Sequence, residues 1–415
     1  MNRQAFAVTA VLVSCLAPLV RGEDWPQFRG PTGQGLVAKG ELPTTWGKDK
    51  NIAWKQAIPG KGWSSPVVAG GRVYLTTAVP VKGSEALSLE SLCLDAANGA
   101  ILWEKEVFRQ DGRKSPRIHS KNSHASPTPL VREGRLFVHF GHQGTACLDL
   151  KGEVLWKNTS LHYAPVHGNG GSPILVEDLL VFSCDGGDSR FVVALNVADG
   201  KVRWKTNRTT PVGKTFSFGT PLLIEVNGRK QIISPGSNVV TAYDPANGKE
   251  IWRVRYSGYS VIPRPVYGHG LLFICTGYDR PGLLAIRADG KGDVTDTHVV
   301  WKTNKAAPHA PSPLLIGDEL YTVSDGGQVC CRDARTGEIH WQERLGGNYS
   351  ASPLFAGGKL YFQSEQGTGV VVRAGKEFKV VANNVLGERS LASPAAAGGA
   401  LFVRTEKHLY RIGAH

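Results

Sequence analysis

The feature that most constrains this chain is a unit that returns eight times. At eight places a Ser, Thr or Arg followed by Pro opens an apolar run, with the prolines at Pro66, Pro127, Pro173, Pro221, Pro265, Pro313, Pro353 and Pro394. Most units close on a turn and a Trp: DAANGAILW ends at Trp103, DLKGEVLW at Trp156, VADGKVRW at Trp204, DPANGKEIW at Trp252, THVVW at Trp301 and DARTGEIHW at Trp341. From Pro127 onward the prolines lie 46, 48, 44, 48, 40 and 41 residues apart. A period in that range, built from short apolar runs, marks a repeat array whose units bury their faces only against neighbours.

Each unit divides into four short β segments. In the third these are ILVED, LLVFSC, FVVALNV and KVRWKT, the last two joined at Asp199-Gly200. Similar turns recur at Asn98-Gly99, Asn247-Gly248 and Thr336-Gly337, and Asn-Gly and Asp-Gly are strong hairpin signals. Fifty Gly and 24 Pro suit many tight turns and leave little room for long helices. Four antiparallel strands per unit make a propeller blade. The last unit supplies three strands and stops, whereas Asn51-Ile52-Ala53-Trp54-Lys55 is a closing strand that precedes the first motif proline. Trp54 stands 12 residues before Pro66, the interval that also separates Trp301 from Pro313 and Trp341 from Pro353. The chain is therefore expected to be all-β, an eight-bladed propeller over 51–415 closed by its N-terminal strand. A seven-bladed ring would have to discard the weak seventh unit, where FKVVANN lacks a Trp. The closing-strand tryptophans are expected to pack between blades with their indole N–H groups bonded.

Residues 1–22 read as an export signal: Asn2-Arg3, then an apolar run from Ala5 to Val20, then small residues before Glu23. Leu12-Val13-Ser14-Cys15 also resembles a lipobox, so a periplasmic or secreted protein and a lipoprotein anchored at Cys15 both stay open. Residues 23–50 form an extension ahead of the ring. Six cysteines remain beyond the leader. Cys93, Cys147 and Cys331 share one repeat position and Cys184 and Cys275 another, which suits small buried hydrophobes and free thiols. The net charge of +13 is spread without a dense basic run. After export it would favour an anionic polysaccharide, lipid headgroups or an acidic protein over nucleic acid.

The unit is clearest in SPLLIGDELYTVSDGGQVCCRDARTGEIHW (312–341), which resembles the repeat of pyrroloquinoline-quinone (PQQ) propellers. EDWPQFRGPTGQG, LPTTW and GKGWSSPVV also look like a group of exported bacterial PQQ-like repeat proteins. The resemblance implies the fold over about 51–415 and two possible roles. Quinoprotein dehydrogenases hold PQQ with Ca²⁺, a catalytic Asp and a vicinal disulfide. Outer-membrane β-barrel assembly lipoproteins use a similar ring as a scaffold without a cofactor. Cys330-Cys331 superficially suits the first role, but Cys331 falls at a buried strand position. A binding scaffold for an envelope protein, peptide or polysaccharide is the expected function, with PQQ-dependent oxidation of an alcohol or sugar as the alternative.

Blade topology narrows where a site can lie. Links between blades and links from second to third strands emerge on one face, and the outer hairpin turns on the other. The Trp-to-Pro links are longest early in the chain, 24 residues after Trp103 and 17 after Trp156 and Trp204. Loops on a rigid scaffold are where function concentrates. These links and the neighbouring strand links are expected to bring His119, Lys121, Asn122, His124, His142, His167, Asn169, Asp185 and Asp188 to one rim, around one concavity. Imidazole beside carboxylate could bind a metal or move protons, or could hold loop backbone in shape. A second group holds Tyr256, Tyr259, Arg264, Tyr278, Asp279 and Arg280. Arg264 stands where other units have Ser or Thr, placing a cation near the channel mouth to bind an anion or to pair with Asp279. No Walker loop, GxSxG elbow, HExxH or paired CxxC occurs.

Overall fold

A computed structural model describes residues 24–114 and 116–413. The leader and its lipobox lie outside these residues. Eight antiparallel sheets follow one another around a ring, each in the strand order of a simple meander. The first blade runs from Val67–Ala69 at the centre through Arg72–Pro80 and Leu87–Asp95 to Ile101–Gln110 at the rim. The eighth takes Ala395–Ala397, Ala400–Arg404 and His408–Ile412 from the C-terminal end and Ile52–Ala57 from the N-terminal end. Trp54 pairs with Arg411 and Ala57 with His408, so the closing strand joins the two ends of the chain and covers an otherwise bare sheet edge. Glu388 fastens this junction through Lys55 at 2.9 Å, His408 at 2.8 Å and Tyr410 at 2.9 Å.

The tryptophan rhythm is inter-blade packing. The indole N–H of Trp54 donates to Ala96 O in the next blade, and Trp103, Trp156, Trp204, Trp301 and Trp341 repeat this with Leu150, Val197, Pro245, Ala334 and Gly375. The outer-turn glycine of the next blade lies over the ring. A Cβ added at Gly200 would fall 2.4 Å from Trp156, and one at Gly248 2.4 Å from Trp204. Trp252 departs from the pattern because blade five replaces its outer turn with an excursion. Gly292–Asp293 from that excursion adds a parallel fifth strand to blade four. The Trp252 N–H is therefore taken by the Gln231 side chain at 2.8 Å.

The residue before each motif proline has an equally regular task. Ser65 donates its amide to Thr128 Oγ1, Thr128 to Ser172 Oγ, and Ser172 to Thr220 Oγ1. Arg264 donates to Ser312 Oγ, Ser312 to Ser352, Ser352 to Ser393, and Ser393 back to Ser65. Seven hydroxyls thus stitch the centre into a hoop, interrupted at Arg264. In blade two the member is Thr128, because the inner strand Leu130–Arg132 follows Pro129. The opening of that unit is therefore Thr128-Pro129, one dipeptide later than the Ser126-Pro127 read from the sequence.

Residues 24–50 form a strap across the end of the channel on the outer-turn side. Trp25 pairs with Val68, Pro26 O accepts from Val131, Gln34 Oε1 accepts from Tyr267, and Val37 donates to Phe355. These contacts span the inner strands of blades one, two, five and seven. Trp25, Leu42 and Trp46 join the buried core of blades seven, eight and one. The strap closes one end of the channel, so the cavity inside the ring opens on the loop face.

Candidate functional site

The loop-face cavity is a funnel of about 1060 Å³. Its floor is the hydroxyl hoop together with Phe28 from the strap, and its walls come from inter-blade links. One wall is a continuous run of edge-to-face rings: His167 with Phe216 at 5.3 Å, Phe216 with Tyr259 at 5.6 Å, Tyr259 with Tyr278 at 5.9 Å, and Tyr278 with His309 at 5.2 Å. Lys214 lies 4.0 Å from the Tyr259 ring centre. Opposite, Trp63 carries Arg389 at 5.7 Å.

Four of the nine rim residues singled out from the sequence face this funnel: His119, Lys121, Asn122 and His167. The long first link docks on the second, with His119 N and Asn122 Nδ2 both donating to His167 O. It also leans across the mouth, where Lys121 meets Glu365 of blade seven at 2.7 Å. Burial and the neighbouring His119 hold the His167 imidazole below its ordinary pKa.

The others are placed elsewhere among the described residues. His142 and Asn169 bond to each other at 3.1 Å, and Tyr163 donates to Asn169 at 2.9 Å. This packs the links of blades two and three together behind the funnel wall. Burial pushes His142 down to about 4, helped by His124, and His124 is itself lowered by burial; neither lines the cavity. Asp185 is in a buried ion pair with Arg208, 2.8 Å apart with both side chains 1% exposed. Burial opposes the charge on Arg208, and Asp185 more than restores it. Asp188 accepts the Ala164 amide at 2.7 Å and shapes its own loop. The single concavity expected around the rim is thus divided: His119, Lys121, Asn122 and His167 face the funnel, and the rest pack behind its wall.

Arg264 also differs from expectation. Its guanidinium lies beneath the hoop, where Nε donates to Pro221 O at 3.0 Å and Nη1 to Phe28 O at 2.7 Å. It makes no pair with Asp279. Tyr256 is half-buried with its hydroxyl on Gly236 O at 2.6 Å, whereas Tyr259, Tyr278 and Asp279 merge with the first cluster in the funnel. Sequence reasoning missed Phe28, Trp63, Phe216, Phe218, His309 and Asp325. Link length pointed away from His309, because its link is short.

The groups of a quinoprotein site have no counterpart of the right geometry around the funnel among the described residues. Cys330 and Cys331 lie in the strand Gln328–Asp333, fully buried and as free thiols. Successive strand side chains point to opposite faces, so this pair cannot form a plate beside a quinone. Of the funnel carboxylates, Asp325 already accepts the His309 and Ala310 amides. Among the described residues no three His, Cys, Asp or Glu side chains converge as metal ligands. The residues present do not fit PQQ with Ca²⁺.

Comparison with known proteins adds the family. The sequence pattern described as "Outer membrane protein assembly factor BamB" matches residues 86–226 and 236–408, most of the chain. The chain belongs to that family. Of BamB relatives, the factor from Shewanella oneidensis is 23% identical over 287 residues, covering 64% of this chain and 68% of that one. The crystal structure of BamB from Moraxella catarrhalis superposes with a TM-score of 0.60 at 11% identity, over 88% of this chain and 98% of that chain; this shows a shared fold. A polyvinylalcohol dehydrogenase from a Sphingopyxis species is 24% identical over 351 residues, but this chain spans only 50% of it.

Proposed function

We propose that this protein is a non-catalytic scaffold of the cell envelope whose loop-face funnel receives an extended segment of a partner protein. The observation that carries the reading is the funnel: it is closed at one end by the strap and walled by a ladder of aromatic and imidazole rings. Such rings offer large apolar contact with polar edges, which suits side chains of a peptide inserted from one side. Lys121, Lys214 and the basic surface favour an acidic segment. Membership of the BamB family supports the envelope setting, since relatives bearing that name are outer membrane assembly factors. A periplasmic location, reached by a leader over residues 1–22, belongs to the same reading.

The test is site-specific photo-crosslinking in cells from the source of the chain. A crosslinker at Phe216 or Tyr278 should capture the same envelope protein, and Lys249, on an outer turn of the opposite face, should not. Equal capture from both faces, or none from the funnel, would end the proposal. Fractionation of the same cells locates the protein independently.

A further inference from the structure

Two guanidinium groups lie where a soluble protein seldom leaves a charge. Arg29, from the strap, and Arg264, from the start of blade five, are each 2% exposed. They meet beneath the hydroxyl hoop, and each is served only by main-chain oxygen. Arg29 Nη2 donates to Gln34 O at 2.9 Å and Pro313 O at 2.6 Å. Arg264 donates to Pro221 O and Phe28 O. Among the described residues, Arg29 Nε and Nη1 have no acceptor, and no carboxylate lies within ion-pair reach of either group.

Other buried arginines of the ring are met in two ways: Arg404 donates to Ser64 O, Ser64 Oγ and Thr76 O, whereas Arg208 has a carboxylate. Arg208, equally deep, has the Asp185 carboxylate on its Nε. Both Arg29 and Arg264 are lowered to about 9, Arg264 by burial and Arg29 by burial together with the charge of Arg264. At neutral pH both remain charged, so two like charges face each other in a poorly solvated place. An uncompensated buried charge is among the costliest features a fold can hold. Asp325, whose field reaches nearby Cys275, is already engaged by the His309 and Ala310 amides.

We infer that Arg29 and Arg264 form a binding site for a small anion of halide size, seated under the hoop at the foot of the funnel. Size follows from the strap. A Cβ on Gly33 would stand 2.1 Å from Arg264 Nη1, and one on Gly35 2.8 Å from Arg29 Nη2. Backbone packed that closely leaves no room for an anion as large as phosphate, so the occupant would be monatomic. The occupant neutralises the pair and accepts from the free Arg29 N–H groups. It binds only when strap and blade five are both in place, so it ties the extension to the ring.

The experiment replaces chloride with gluconate at constant ionic strength and follows the urea midpoint of the full chain. Binding to the native state alone raises stability with the logarithm of anion concentration. The midpoint should therefore climb with chloride and with bromide, and stay level in gluconate. Arg264→Ser restores the hydroxyl that seven other units carry, so it should fold and lose the chloride dependence; Arg29→Gln should lose it independently. A crystal grown in bromide should show an anomalous peak touching both guanidiniums. A chloride-independent wild-type midpoint, an unaltered dependence in Arg264→Ser, or ordered water without anomalous signal at that position would each overturn the site.

Discussion

At the scale of single residues, buried histidines stand behind the funnel wall. His139 lies behind the wall, bonded through Nδ1 to Thr145 Oγ1 at 2.8 Å and stacked on Phe182. Burial pushes it to about 3, with a smaller push from His142, and His142 itself sits at about 4. An unfolded imidazole titrates near pH 6.5. Between that value and the native ones, the unfolded chain binds protons that the native chain refuses, so stability falls as pH falls. Each such histidine contributes a slope of about 1.4 kcal/mol per pH unit within its window. Urea midpoints should drop steadily between about pH 6.5 and about pH 4. His139→Gln, which retains a donor for Thr145 without the proton uptake, should flatten the slope by about one proton. An unchanged slope would show that another group dominates acid sensitivity.

At the scale of elements, the repeat is a clasp between a tryptophan and the next blade's turn. Gly200 has φ +70°, and its missing Cβ makes room for Trp156. Gly228 has φ +74° with nothing within 4 Å of the added Cβ. Gly228→Ala therefore measures backbone strain alone, about 1 kcal/mol, whereas Gly200→Ala adds displacement of an indole and should cost about 2 kcal/mol more. Equal losses in denaturant titrations would remove the clasp as a source of stability. Elements of this kind were legible because they recur: the phase of the repeat alone placed Trp54 in the last blade. Where the signal doubled, as in Ser126-Pro127-Thr128-Pro129, the phase slipped by one dipeptide. Single-copy features left no rhythm to read, and so the strap with Phe28 escaped. Topology puts Asp185 at the strand end nearest the links but does not say which way its side chain turns, and the buried partner Arg208 lies 23 residues on.

At the scale of the whole molecule, ring closure and strap depend on one junction. Glu388 gathers Lys55, Thr405, His408 and Tyr410. Desolvation opposes its charge, but these bonds outweigh it and hold the carboxyl at about 2. Glu388→Gln weakens the tie of Lys55 on the closing strand to His408 and Tyr410 on its neighbour and should lower the unfolding midpoint, with earliest loss of hydrogen-exchange protection in Ile52–Ala57 and the strap. Protection lost uniformly around the ring would mean the junction carries no special share.

The strap runs from Val68 to Phe355 and Asn384, and that route has a consequence in time. Residues near the beginning of the chain find their places only on strands made hundreds of residues later. Contacts of such long range slow folding, because loop closure precedes any reward. Blades one to six can assemble as they are synthesised, but the first segment out must wait for the last. Until then the central channel is open at both ends, and while the eighth blade lacks its outer strand the bare edge of His408–Ile412 is most exposed to mispairing.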